Sequence, residues 1–217
     1  MTIKNNLKRI KAELPPHVEL VAVSKTKPKE DLLEAYGAGQ RIFGENKVQE
    51  MTRKWEALPK DIEWHMIGHL QRNKVKYMAP FVALVHGVDS LKLLKEINKQ
   101  AQKHQRVISC LLQVHIAEED TKFGFDEAEL AALADDPEFK ALQHVNVKGL
   151  MGMATFTDNM DQVRREFRGL KQLFDALAPK FGGLETLSMG MSGDYAVAIA
   201  EGSTMVRIGS SIFGARN

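Results

Sequence analysis

Short apolar runs alternate along this chain with longer segments of helical period. Eight runs are short and bounded by turn residues: Val18–Ser24, Arg41–Gly44, Ile62–Ile67, Ala83–Val88, Val107–Ile116, Val147–Met151, Leu184–Ser188 and Thr204–Ile208. Length and flanks predict strands for all eight. Helical periodicity fills the gaps: Pro28–Ala38, Asn46–Leu58, Leu70–Met78, Asp89–Lys103, Asp126–Ala134, Met160–Leu177 and Ser192–Ala200. A further helix over Thr2–Leu14 precedes the first strand and must stop at Pro15-Pro16. Pro28 in a first turn and Gly39 past the end follow the usual asymmetry of helix termini. Asp89 is the expected cap of a helix carrying Leu91, Leu94, Ile97 and Ala101 on one face. Eight strand–helix units predict an α/β protein, a single (β/α)8 TIM barrel with an extra N-terminal helix, as one domain over 1–217. An open doubly wound sheet ranks second, because no G-x-G-x-x-G follows the first strand.

Composition narrows the function. The chain has 217 residues, 44% apolar and 27% charged, as expected for a folded soluble protein rather than a disordered one. Its net charge of +2, from 30 basic and 28 acidic side chains, gives no reason to expect nucleic acid or a membrane surface as partner. The one cysteine, Cys110, sits in an apolar run and reads as a small buried hydrophobe. The N-terminus lacks the apolar core of a signal peptide, and no stretch is apolar enough to span a bilayer. The expected compartment is the cytoplasm.

In a barrel, chemistry sits at the carboxyl ends of the strands. After strand 1 comes Ser24-Lys25-Thr26-Lys27. Alternation from Val21 and Val23 points Lys25 inward, where desolvation lowers a lysine pKa and makes the amine nucleophilic toward an aldehyde. A solvated lysine on the loop is the equal alternative. Asn46 follows strand 2 and suits either a helix cap or a ligand hydrogen bond. His65 and His69 are four apart but span a strand-to-helix turn, so no metal site is expected; His65 reads as a satisfied structural histidine. Glu118-Glu119-Asp120 reads as a solvated loop, and Lys122-Phe-Gly as a rim element. Met151 and Met153 are core filler or the lining of a flat aromatic ligand.

Strand 7 leaves through Ser188-Met189-Gly-Met-Ser192, and strand 8 through Arg207-Ile-Gly209-Ser210. Small residues let backbone N–H groups approach an anion, hydroxyls add donors, and a helix start adds partial positive charge. The loops after strands 7 and 8 are the recurrent phosphate site of such barrels. Arg207 should face the interior beside that site. Against a pyridine nitrogen it would keep the nitrogen unprotonated and weaken the ring as an electron sink. An ion pair with Glu185 or Glu63 is its alternative role.

The motifs VAVSKTKP, FGENKVQE, WHMIGHLQRNK, DTKFGF, GLMGMAT, LSMGMSGDY and STMVRIGSSIFGAR, in that order, resemble the YggS/PROSC family of pyridoxal phosphate homeostasis proteins from about Leu20 to Arg216. The resemblance implies a barrel like the N-terminal domain of alanine racemase. It implies pyridoxal 5′-phosphate as cofactor, held as a Schiff base on Lys25, with Asn46 near the ring, Ser192, Gly209 and Ser210 on the phosphate, and Arg207 at the pyridine nitrogen. Met153, Ser188 and Met189 join the expected cofactor-binding set. The implied role is holding, buffering or delivering the cofactor, with no established catalytic activity and apoenzymes as transient recipients; charged, mixed outward helix faces without an apolar stripe predict a monomer. One position departs from the family: Lys47 stands where an aromatic residue is common, adding positive charge near the mouth. Two enzymatic readings compete. An amino-acid racemase would need a second base from another domain, which the chain, ending at Asn217, is not expected to supply. A Schiff-base aldolase on a sugar phosphate usually draws its lysine from a later strand.

Overall fold

In the computed structural model, which describes residues 2–119 and 123–214, alternation between apolar strand faces and amphipathic helices resolves into a closed parallel barrel with strand order β1 to β8. The strands are β1 (Glu19–Val23), β2 (Ile42–Glu45), β3 (Glu63–Met66), β4 (Leu84–Val88), β5 (Ile108–Val114), β6 (Val145–Gly152), β7 (Thr186–Ser188) and β8 (Met205–Ile208). The helices are α1 (Ile3–Glu13), α2 (Lys29–Gly37), α3 (Val48–Ala57), α4 (Val75–Met78), α5 (Leu91–Lys103), α6 (Glu127–Asp135), α7 (Pro137–Lys140), α8 (Met160–Leu177), α9 (Tyr195–Ala200) and α10 (Ser210–Phe213). β1 closes the barrel on β8 in parallel register, with Val21 opposite Arg207.

The period of two sorts the strand residues into two cores. Val21, Leu84, Leu111, Met151 and Met205 meet inside the barrel, with Ile42, Ile67 and Met153 packed against them. Ala22, Phe43, Trp64, Val85, Leu112, Leu150, Leu187 and Val206 face outward and join the helices in a much larger core. α8 shows how the helices pay into it. Its buried Val163, Phe167, Leu170, Phe174 and Leu177 recur at alternating spacings of four and three, one continuous stripe, and Asn159 caps its first turn by accepting from the Gln162 amide at 3.2 Å. α1 packs against α2 and α10. Asn6 Nδ2 donates to the Ile212 carbonyl at 2.9 Å, and Tyr195 donates to Glu13 at 2.5 Å, so this extra helix is stitched to the end of the barrel chain.

Several local expectations change. α5 is capped by Ser90, whose hydroxyl accepts from the Leu93 amide at 3.3 Å, rather than by Asp89. Asp89 instead pairs with His69 at 3.4 Å. The segment Leu70–Met78 is a 3-10 turn over Arg72–Lys74, which buries no residue, followed by the single turn α4, which buries Val75 and Met78. Asn46 does not cap α3: the cap position is Lys47, with no side-chain bond. α9 begins at Tyr195 rather than Ser192. Among the described residues, α7 and α10 were not anticipated; each is a single turn, below the length at which periodicity can be read. Asp120, Thr121 and Lys122, and with them part of the acidic triplet and of the rim element, lie outside the described residues, as do residues 215–217. No helix among the described residues is long and apolar enough to cross a membrane.

Candidate functional site at the carboxyl ends of the strands

Closure of β1 on β8 brings the two ends of the sequence together at the mouth. Strands β6, β7, β8, β1 and β2 are consecutive around the barrel. Their exits carry Met153, Ser192, Gly209, Lys25 and Asn46 in that order, so residues spread over most of the chain form one arc. Lys25 is half-buried in a turn that Lys27 N–H closes by donating to the Ser24 carbonyl at 3.0 Å. Lys27 Nζ reaches the Phe213 carbonyl at 3.1 Å, tying this loop to the one after β8. Gly209 N–H donates to Ser192 Oγ at 3.3 Å, so the exits of β7 and β8 are in contact. A Cβ at Gly209 would lie 3.1 Å from the Val23 carbonyl, which favours glycine where β8 passes β1. Asn46 is half-buried, and the loop after β3 packs on its backbone: a Cβ on Gly68 would fall 2.5 Å from the Asn46 carbonyl oxygen.

Below this arc the barrel holds a chain of buried polar groups. Arg207 is 4% exposed; its Nη1 donates to Ser188 Oγ at 2.5 Å and its Nη2 to the Gly152 carbonyl at 3.1 Å. Ser188 Oγ lies 3.0 Å from His86 Nδ1, and His86 Nε2 lies 3.0 Å from His65 Nδ1. A buried hydroxyl proton needs an acceptor, and His86 Nδ1 is the one in reach. We therefore assign the order Arg207 to Ser188 to His86 to His65, with each histidine neutral. Burial pushes His65 down to about 3. Burial, then the like-signed fields of His65 and Arg207, hold His86 well below the usual imidazole range. Burial lowers Arg207 to about 10, with Asp194 acting against it, so the guanidinium stays charged at neutral pH. Two contacts leave it further N–H donors.

Eight of the nine expected binding residues thus lie at the mouth or directly beneath it. Met153 packs against the inner core, and Ser188 lies deeper, as the support of Arg207. Ser210 is exposed at the start of α10. Met189 is placed elsewhere: fully buried, it points into the outer core between barrel and helices, because outward-facing Leu187 sets the phase of the strand and the chain turns after Ser188. Arg207 pairs with neither Glu185 nor Glu63, both exposed at the other end of their strands. The helix-start contribution also shrinks, since α9 has six residues and α10 four; individual amides and hydroxyls supply the polarity. His65 and His69 face different surroundings, the first toward His86 inside the barrel and the second stacked on Phe123 at 4.2 Å. Lys47 is exposed beside an open groove of about 660 Å³ that Lys27 and Arg53 also line. His86 is the residue that strand-end inspection misses. It lies within β4, and its signal is a lone polar side chain in phase with inward Leu84.

Comparison with known proteins agrees with this architecture. The model of the family described as "Alanine racemase, N-terminal domain" matches residues 1–217. A pyridoxal phosphate homeostasis protein of Aquifex aeolicus is 44% identical over 200 residues, covering 91% of this chain and 87% of its own. The solved structure of PipY from Synechococcus elongatus without PLP superposes with a TM-score of 0.92 at 36% identity, covering 98% of this chain and all (100%) of PipY. The structure of PipY with PLP bound matches at a TM-score of 0.88, with the same identity of 36% and the same coverage of 98% and 100%.

Proposed function

Because this chain belongs to the alanine racemase N-terminal domain family and, within it, to the pyridoxal phosphate homeostasis proteins, we propose that it binds pyridoxal 5′-phosphate through Lys25 and stores or hands on the cofactor. The observation that carries the reading is the arc at the mouth. An amine after β1 stands beside the hydroxyl- and amide-bearing exits of β7 and β8, over a buried guanidinium. Those three features fit an aldehyde, a phosphate and a ring nitrogen on one flat molecule. When bound, the cofactor would supply an aldehyde carbon, and Lys25 would be the amine that holds it. Ser192, Gly209 and Ser210 hold the phosphate, and Asn46 and Met153 border the ring.

Arg207 favours storage over turnover. A permanently charged guanidinium against the ring nitrogen donates a hydrogen bond and opposes its protonation. The ring then stabilises carbanions weakly, which disfavours racemase chemistry. The relatives carry a homeostasis name rather than an enzyme's, in keeping with this. The same reading takes 1–217 as one domain acting as a monomer. Borohydride reduction followed by peptide mapping tests the anchor. The cofactor mass should appear on the peptide containing Lys25, and its appearance only on other lysines would reject the proposal. Racemisation of alanine that disappears in Lys25→Ala would reject the storage role while keeping the anchor.

A further inference from the structure

A buried ionic cluster beside Lys25 has no part in the reading above. Glu45 is 0% exposed and Lys54, on α3, is 8% exposed, places where ionised groups persist only when paired. Lys54 Nζ donates to Glu45 Oε1 at 2.7 Å, to Glu50 Oε1 at 2.7 Å and to the Ser24 carbonyl at 2.8 Å, which engages every N–H it has. Ser24 Oγ donates to Glu45 Oε1 at 2.6 Å, and Thr26 N–H donates to Glu50 Oε1 at 2.7 Å. Both chain neighbours of Lys25 are therefore tied to one ammonium group, Ser24 directly and Thr26 through Glu50.

The turn they flank needs such support. Lys27 N–H to the Ser24 carbonyl closes four residues, with Lys25 second and Thr26 third. Thr26 has φ 65°, in the left-handed region. A turn with positive φ at its third position ordinarily places Gly or Asn there, and a β-branched side chain resists it. The cluster itself is costly to build. Burial pushes the Glu45 carboxyl up, with Lys54 and Ser24 pulling it back, and an apolar pair of similar volume would avoid that desolvation. Packing alone also gives no reason for its contacts to fall on the two residues either side of Lys25.

We propose that Lys54, acting with Glu45 and Glu50, is a positioning residue for Lys25: the cluster holds the Ser24–Lys27 turn in its strained form, so that the Lys25 amine is presented to the barrel mouth. The proposal rests on Lys25 as the cofactor anchor. It joins the buried ion pair to the site through backbone geometry alone.

The test compares Glu50→Ala, Glu50→Gln and Lys54→Met with the unaltered protein. Glu50 lies at the partly exposed edge, and the same Oε1 accepts from both Thr26 and Lys54, so glutamine keeps an oxygen there and alanine removes it. Two quantities are read: the rate at which added pyridoxal 5′-phosphate becomes borohydride-fixed on Lys25, and amide hydrogen exchange of residues 24–27 in protein freed of cofactor. Glu50→Ala and Lys54→Met should slow attachment about tenfold and quicken exchange, the size of one or two lost charge-assisted hydrogen bonds. Glu50→Gln should stay within about twofold of the unaltered protein in both. Unchanged attachment and exchange in Glu50→Ala would overturn the proposal. So would a Glu50→Gln protein as impaired as Glu50→Ala. If Lys54→Met fails to fold, the Glu50 pair still decides. Exchange is measured without cofactor, so it judges the cluster even if peptide mapping removes Lys25 as the anchor.

Discussion

Lowering the pH from about 8 to about 5 should cost this protein stability through His65 and His86, by an amount that follows from their burial. Both rings are neutral in the fold; burial holds His65 at about 3 against an ordinary 6.5 and His86 well below that ordinary value. The unfolded chain therefore takes up protons between 6.5 and the depressed folded value while the folded chain does not. Stability is complete above 6.5 and is lost as the pH falls through that window. At pH 5 the unfolded imidazole lies one and a half units below its pKa, and about 1.36 kcal/mol per unit gives about 2 kcal/mol for His65. His86 acts in the same direction, so the loss is a sizeable share of the roughly 5–15 kcal/mol that stabilises most domains. The figure holds for any folded value well below 5. Glu45 works in the opposite direction, because its carboxyl is raised, so the clean quantity is a difference between proteins. Urea unfolding at several pH values would compare the unaltered chain with His65→Gln, whose amide can still accept from His86. The variant should lose the His65 share, about 2 kcal/mol, of the pH dependence. An unaltered protein equally stable at both pH values, or a variant with undiminished pH dependence, would refute the neutral buried chain.

Three further outcomes follow from the site. Ser192→Ala removes a hydroxyl at the β7–β8 contact and should weaken cofactor binding by about 1 kcal/mol, more if the phosphate is its partner; equal affinity in a titration would remove Ser192 from the site. Arg207→Met keeps the volume and removes the guanidinium, so it should shift the visible band of the bound cofactor and loosen it; an unchanged band would place the ring nitrogen elsewhere. Gly68→Ala would put a Cβ 2.5 Å from the Asn46 carbonyl and should cost about 1–3 kcal/mol, read by denaturant unfolding; no loss would mean the two loops are not packed as described.

The barrel was legible because its strands repeat a pattern that only a parallel sheet wrapped by helices satisfies. Met160–Leu177 matched to the residue, since a long stripe of alternating four and three spacings has one register. Boundaries set by side-chain caps were harder: Asp89 and Ser90 are both good cap residues, and the choice depends on Asp89 being drawn to His69. Lys25, Ser192, Gly209 and Arg207 stood out because they combine strand-end position with unusual chemistry. Met189 has the same position, but it shares the outward phase of Leu187, two residues before it, and so belongs to the outer core. The Glu45–Lys54 pair stayed hidden because a charge on a helix normally means a solvated face. Its one trace is that Lys54 continues the spacing of buried Val48 and Met51.

The central claim is most directly tested by the visible absorption spectrum of the purified protein and of Lys25→Ala, each before and after pyridoxal 5′-phosphate is added. The account predicts a yellow, borohydride-reducible band in the unaltered protein that Lys25→Ala does not form. An unaltered protein that stays colourless with excess cofactor, or a mutant that turns equally yellow, would contradict it.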